Sequence, residues 1–275
     1  MRKLLQSLGL LLAGIAIASG AMAQEKSKLD EVLARGKIIV GVSSESPPFG
    51  FVDEKGELTG FDIDVAKLIA KGLFGSSDAK HIEFVKQSSA ARWENVNSGK
   101  VDFGIHVATV LPDRIARVAF TRGYIDSSIV VIVKADSKFR KFSDLNTDKV
   151  TTAILSTPVQ AARAAQFFPK AKTTTLDSIG AQFTSVKGGR VDAAQLDEPV
   201  ALWYATQNKD VRVLEERMTA VTNNAIYMKQ GDFKWWLALD TYVNEMRAGS
   251  MFGDYSVAYK KWFGKEPMNA KYYVK

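Results

Sequence analysis

The sequence contains no cysteine and only two histidines, His81 and His106, among 275 residues. Without cysteine there is no disulfide, so an exported chain of this kind must be held together by its core. No Gly-x-Ser-x-Gly elbow and no phosphate-binding glycine loop occur, and "NSGKVD" has Gly-Lys without the upstream glycine spacing. No cluster of metal-ligating residues is apparent, so no cofactor or metal is expected. Lysines and arginines nowhere interleave with aromatics in a nucleic-acid-binding pattern. Low-complexity tracts are absent, and the one long apolar run is short for a membrane span.

That run stands at the start. Arg2 and Lys3 precede "LLQSLGLLLAGIAIASG", and "AMA" before Gln24 is a small-x-small cleavage site. Residues 1–23 read as a signal peptide, with an uncleaved anchor as the alternative. No cysteine follows the site to carry a lipid, so the expected mature protein is periplasmic and not a lipoprotein. The formal charge of +7 falls to +5 without Arg2 and Lys3 (7 − 2). Such a mild excess suits anionic small molecules or plain solubility.

Strands and helices alternate. "KIIVGV", "HIEFVK" and "VDFGIHVA" read as strands, "FDIDVAKLIAKGLF" and "SAARWENVNSG" as helices, and "LPDRIAR" as a helix opening on Pro112. "SPPFGFVDEKGELTGFD" reads as a loop with a turn at Asp53–Gly56. After the long β-branched "SSIVVIVKADS", a second series follows: "KVTTAIL", "TPVQAARAAQFF", "AKTTTL", "SIGAQFTSVKGG", "RVDAAQL" and "DEPVALWYATQ". Two such series predict two α/β lobes with parallel sheets. The late strand "NNAIYMKQ" and the helical C-terminus are expected to return to the first lobe, with crossings near residues 126–132 and 222–227. The expected division is lobe 1 at residues 24–128 plus 226–275 and lobe 2 at residues 129–225.

One motif occurs twice. "SGKVDFGIHVATVLPDR" (98–114) is echoed by "GGRVDAAQLDEPVA" (188–201). In open α/β sheets, ligands sit outside the carboxyl ends of the strands. Thr109 and Asp197 close the two strands, and Arg114 follows Thr109 by five residues. A guanidinium in one lobe and a carboxylate in the other suit a free amino acid, whose carboxylate takes a two-pronged arginine and whose ammonium takes an aspartate. A ligand bridging both would favour a closed state. The competing reading is plain: a surface arginine, and an aspartate capping the next helix.

The mature chain resembles the polar-amino-acid family of periplasmic solute-binding proteins that serve ABC transporters. "GKIIVGVSSESPPFGFVDEKGELTGFDIDVAKLIAK", "VNSGKVDFGI", "LPDRIARVAFTRGYI", "FSDLNTDKV", "GGRVDAAQLDEPVA" and "YKKWFG" carry the likeness in order over residues 29–264. It implies the two-lobed type II periplasmic-binding-protein fold, two α/β domains joined by a two-strand hinge. It implies that Arg114 holds the α-carboxylate and Asp197 the α-amino group, with Thr109 and the Ser156-Thr157-Pro158 loop completing the grip. Leu111 replaces the family's usual threonine, and Pro158 offers no N–H. Ser46 stands where many members place an aromatic, which weakens a cationic or flat ligand. Arg92 matches an arginine of members that bind glutamate, aspartate or other small polar amino acids, and Ser89 lies one helical turn before it. Either is equally a surface residue. His106 either lines the pocket or is structural; Phe49 and Phe51 either wall it or pack.

The expected function is capture of an L-amino acid, acidic or small and polar, in an interlobe cleft. Delivery to the permease subunits of an ABC importer follows, with a monomer as the working form. The rival is a periplasmic dehydratase of the prephenate or arogenate type on the same scaffold, with Asp197 or Glu198 as general acid. A membrane-anchored sensor module is the other.

Overall fold

A computed structural model describes residues 26–88, 90–155, 158–176 and 179–267. Ser89, Ser156 and Thr157 lie outside the described residues, as does the proposed signal peptide.

Two five-stranded sheets are built to one plan. The first contains β1 (Ile38–Val42), β5 (Ile82–Lys86), β6 (Phe103–Ile105), β7 (Ala119–Ser127) and β13 (Thr222–Met228) in the order β5-β1-β6-β13-β7. The second contains β8 (Ile129–Lys134), β9 (Thr151–Leu155), β10 (Lys172–Leu176), β11 (Ala193–Asp197) and β12 (Val211–Val213) in the order β10-β9-β11-β8-β12. In each, three parallel strands are followed by one that runs antiparallel to both of its neighbours, and the edge strand beyond it runs with the first three. The echoed motifs form β6 and β11, the third strand of each sheet. Their shared aspartates do the same work. Asp102 accepts from Ile39 N–H (2.7 Å) and Asp192 from Thr151 N–H (2.8 Å), each tying the third strand to the start of its parallel neighbour. The repetition is thus structural up to the aspartate, and only the strand ends differ.

The helices of the first sheet are α1 (Lys28–Arg35), α2 (Phe61–Phe74) and α3 (Arg92–Asn97), with α8 (Phe233–Ala248) and α9 (Phe252–Phe263) returning at the end of the chain. α4 (Phe142–Leu145), α5 (Pro158–Phe167), α6 (Ile179–Lys187) and α7 (Glu198–Gln207) accompany the second. α9 packs on α2, α8 and α7, and the ring of Phe51 lies 6.2 Å from that of Trp203 on α7, so the two units touch beside the hinge. The chain passes between sheets at Ser128 and again at residues 214–221, ahead of the expected 222–227, because β13 pairs from Thr222 onward with β7.

Some expectations need correction. "LPDRIAR" is a run of turns closed by Arg114 N–H to Leu111 O and Arg117 N–H to Arg114 O, not a helix. The strand expected over "VDFGIHVA" stops at Ile105, because Val107 turns to a φ of 44°. "SPPFGFVDEKGELTGFD" holds a small antiparallel sheet, β2 (Glu45–Ser46), β3 (Gly50–Val52) and β4 (Leu58–Thr59).

Gly104 lets β6 pass Tyr227. A Cβ there would stand 2.1 Å from the ring, which is fully buried. Gly104→Ala is expected to cost about 1–3 kcal/mol of unfolding free energy through overpacking. An unchanged denaturant midpoint would show that the ring has room to move.

Candidate functional site

The carboxyl end of β6 opens into residues 106–110, and four backbone groups of that loop are held by residues outside it. Arg92 donates to His106 O (3.1 Å), and Ala225 N–H donates to Ala108 O (2.9 Å). Arg114 donates to Thr109 O (2.8 Å), and Val110 N–H donates to Asn223 O (3.0 Å). The Thr109 hydroxyl donates to Asn224 Oδ1 (3.0 Å). Sequence separation hides this convergence. Arg92, Thr109 and Arg114 come from a helix start, a loop and a turn, yet all meet at one strand end.

Both arginines are half-buried, and neither forms an ion pair among the described residues. Burial lowers the Arg92 guanidinium, Tyr227 opposes the shift and the charge of Arg114 adds to it. The Arg92 guanidinium stacks 4.2 Å over the Trp93 ring, and its buried Nε has no hydrogen-bond partner. Two like charges in mutual reach, with no carboxylate between them, favour an anion. His106 is buried, and burial together with Arg92 pushes its imidazole down to about 4, so it is neutral at pH 7. It offers its carbonyl to Arg92.

In the second sheet, Asp197 ends β11 and precedes α7. Its side chain makes no capping bond to that helix, which sets aside the plain capping role. The residue is exposed, yet the surrounding protein dehydrates its carboxyl and pushes it up, with Arg163 pulling the other way. Arg163 is a residue the sequence reading missed. It donates to Gln195 Oε1 (3.0 Å), and Gln195 lies two positions before Asp197, on the same face of the strand. Gln160 accepts from Leu155 N–H (2.7 Å) and lies three residues before Arg163 on α5. That i, i+3 spacing was the available signal.

Glu198 follows directly. Burial alone would raise its carboxyl, but Arg217, Ser128 and Lys265 hold it at about 2. Arg217 grips both oxygens at 2.9 Å, Ser128 Oγ donates at 2.7 Å and Lys265 Nζ at 3.1 Å. Those partners come from both interlobe passages and the C-terminal tail. Glu198 is therefore fully engaged in the hinge.

Phe49 is 2% exposed and packs on Phe263, as the packing reading expects. Ser46, half-buried on β2, shares a 2.8 Å hydrogen bond with Ser43. No group of metal-ligating side chains is found among the described residues. No described helix is long and apolar enough to cross a membrane.

The profile of the bacterial extracellular solute-binding proteins, family 3, matches residues 38–265. The ABC transporter glutamine-binding protein GlnH of Bacillus subtilis (strain 168) is 28% identical over 254 residues, 90% of each chain. The glutamine-binding protein of Geobacillus stearothermophilus is 34% identical over 190 residues, 68% of this chain and 71% of that one. Two structures of AncCDT-1, an ancestral cationic amino acid solute-binding protein and a precursor of cyclohexadienyl dehydratase, are 32% identical. They cover 86% of this chain and 100% of that chain, with TM-scores of 0.76 and 0.63.

Proposed function

Because the chain belongs to the bacterial extracellular solute-binding proteins, family 3, with their type II periplasmic-binding-protein fold, we propose that it captures an L-amino acid between its two lobes and delivers it, as a monomer, to an ABC importer. In this reading residues 1–23 are a cleaved signal peptide, residues 24–128 with 226–275 form one lobe and residues 129–225 the other. Arg114 takes the α-carboxylate and Asp197 the α-ammonium, with Thr109 and the Ser156–Thr157 loop beside them. Arg92, aided by Ser89, takes a side chain that is acidic or small and polar, glutamate or aspartate above all.

The observation that carries this is the pair of guanidiniums, Arg92 and Arg114, close enough to feel each other and unpaired with any carboxylate among the described residues. A cationic ligand would add a third positive charge there. The relatives named for glutamine support a polar side chain, whereas the ancestral protein named for cationic amino acids does not share the preference proposed here.

Thermal-shift screening of the purified protein against the common L-amino acids tests the reading. Glutamate, aspartate or glutamine is expected to give the largest rise, since a ligand at a hundred times its Kd adds about 2.7 kcal/mol. Stabilisation by arginine, lysine and histidine alone would overturn the role of Arg92. The dehydratase link of AncCDT-1 keeps an enzymatic reading in view. Glu198 is committed to Arg217, Ser128 and Lys265, which leaves it ill-placed to donate a proton at neutral pH. Prephenate incubated with the protein is expected to persist, and its conversion to phenylpyruvate would favour the enzyme.

A further inference from the structure

Arg92 brings a charge into a half-buried place on little hydrogen bonding. Among the described residues its guanidinium donates only to His106 O (3.1 Å), and its buried Nε finds no acceptor. One hydrogen bond leaves such a group free to swing about that contact. What fixes it is a ring: the guanidinium carbon lies over Trp93, 4.2 Å from the ring centroid. A cation over an aromatic face is attracted by the ring quadrupole, most strongly by tryptophan. Such a contact needs no acceptor, so the remaining N–H donors stay available for a carboxylate.

Trp93 is seated in turn. The Tyr227 ring meets it edge-on, with centroids 4.7 Å apart and planes at 74°, and Phe120 flanks it at 6.1 Å. The Tyr227 hydroxyl accepts from Gln87 Nε2 (2.7 Å), and Gln87 Oε1 accepts from Asn95 Nδ2 (2.8 Å). Tyr227, Gln87 and Asn95 are all buried. Asn95 and Trp93 share α3, so these contacts close a circuit from the helix to the sheet and back. The sheet is shaped to admit it. Gly41 and Gly104 lie opposite each other on β1 and β6, and Tyr227 lies opposite Gly104 on β13. A Cβ at Gly41 would stand 2.4 Å from the Gln87 amide nitrogen, and one at Gly104 would stand 2.1 Å from the Tyr227 ring. Two adjacent strands thus omit a side chain at the same level, and the glutamine and the tyrosine occupy the trough. α3 has six residues, too few for a helix to hold its shape alone. The trough gives it a fixed seat.

We propose that Trp93 is a positioning residue that sets specificity: seated by Tyr227, Gln87 and Asn95, its ring holds the Arg92 guanidinium in place and so establishes the preference for an acidic ligand side chain. The proposal rests on the reading of Arg92 as the side-chain contact, and Trp93 acts through Arg92.

Two measurements test it. The first needs no ligand. In the NMR spectrum of the free protein, the Hδ and Hε protons of Arg92 are expected upfield of the usual arginine range, shielded by the Trp93 ring, and to return to that range in Trp93→Leu. Unshielded Arg92 protons in the unsubstituted protein would overturn the proposal. The second is calorimetric titration with L-glutamate and L-glutamine. Trp93→Leu keeps apolar bulk and removes the ring. It is expected to weaken L-glutamate binding about tenfold and L-glutamine binding less than about threefold. Trp93→Phe keeps a weaker ring and is expected to fall between, and it serves the same comparison if the leucine variant does not fold. In an Arg92→Met background, Trp93→Leu is expected to change the Kd for L-glutamate less than about twofold, because the side chain it acts through is gone. A merely structural role would weaken both ligands alike and would persist without Arg92; either result would overturn the proposal. If the unsubstituted protein binds neither amino acid, or Arg92→Met binds L-glutamate as tightly as the parent does, the role proposed above for Arg92 fails, and the ring shielding still decides whether Trp93 holds that side chain.

Discussion

Arg114→Ala and Asp197→Ala are each expected to weaken amino-acid binding by about 2–5 kcal/mol, roughly 30-fold to several-thousand-fold in Kd. The magnitude reflects a buried ionic contact that loses one partner, which leaves the other charge dehydrated and unmatched. The two substitutions are not equivalent. Arg114 also donates to Thr109 O, so its removal frees a loop carbonyl as well as a ligand carboxylate. Asp197 makes no cap to α7 and is already dehydrated without ligand. Asp197→Asn is therefore the cleaner variant: affinity should fall and the unfolding midpoint should hardly move. Arg114→Lys keeps the charge but loses the planar fork, and it should recover only part of the loss. Calorimetry on these variants gives the answer, and near-wild-type Kd values for both alanine substitutions would remove the assignment.

The second large effect concerns pH. Burial raises the carboxyl of Asp62 to about 7, opposed by Tyr124 and Val107, against an ordinary value of about 3.9 in the unfolded chain. Between those values the native state binds more protons than the unfolded one. The contribution to stability is fully present below about pH 4 and is lost as pH rises through 7; it amounts to up to about 4 kcal/mol. His106 runs the other way. Burial and Arg92 lower it to about 4, so its contribution is present above about pH 6.5 and lost as pH falls through 4. The two trends offset each other in the parent protein. They separate when its unfolding free energy is compared with that of Asp62→Asn across pH 4 to 8. The variant is expected to gain on the parent steadily as pH rises. A constant difference between the two curves would mean that Asp62 does not change charge in that interval.

What the sequence disclosed, and what it hid, follows from where each residue finds its partners. β1, β5, β9 and β11 are apolar runs bounded by turns, and their pairing is with near neighbours in the α/β plan. Arg114 and Asp197 stood out because their motif is repeated. β7 was not visible, because "AFTRGYIDS" carries Arg122 and Asp126 inside a strand. Those charges are neutralised by Asp240 and Arg247 of α8, 118 and 121 residues away. The helix expected after Pro112 failed because Leu111 and Arg114 close a turn instead. Phe49, beside two prolines, was open to either a wall or a packing role, and its burial against Phe263 of α9 came from a helix more than 200 residues later. Asp62 drew no notice in the sequence, because an acidic residue in a first helical turn is common and usually exposed. Its burial depends on Tyr124, 62 residues later.

The matched plan of the two sheets conceals an asymmetry of connection. Every strand of the second sheet comes from one uninterrupted stretch, β8 to β12. The first sheet has to join β13 to β7, and Thr222 meets Ser127 across 95 residues. Closing so long a loop carries an entropic cost that the second sheet does not meet. Assembly therefore has a natural sequence. The second sheet is free to form first, and by forming it brings the ends of its own segment together. The first sheet then closes around a connection that is already short in space.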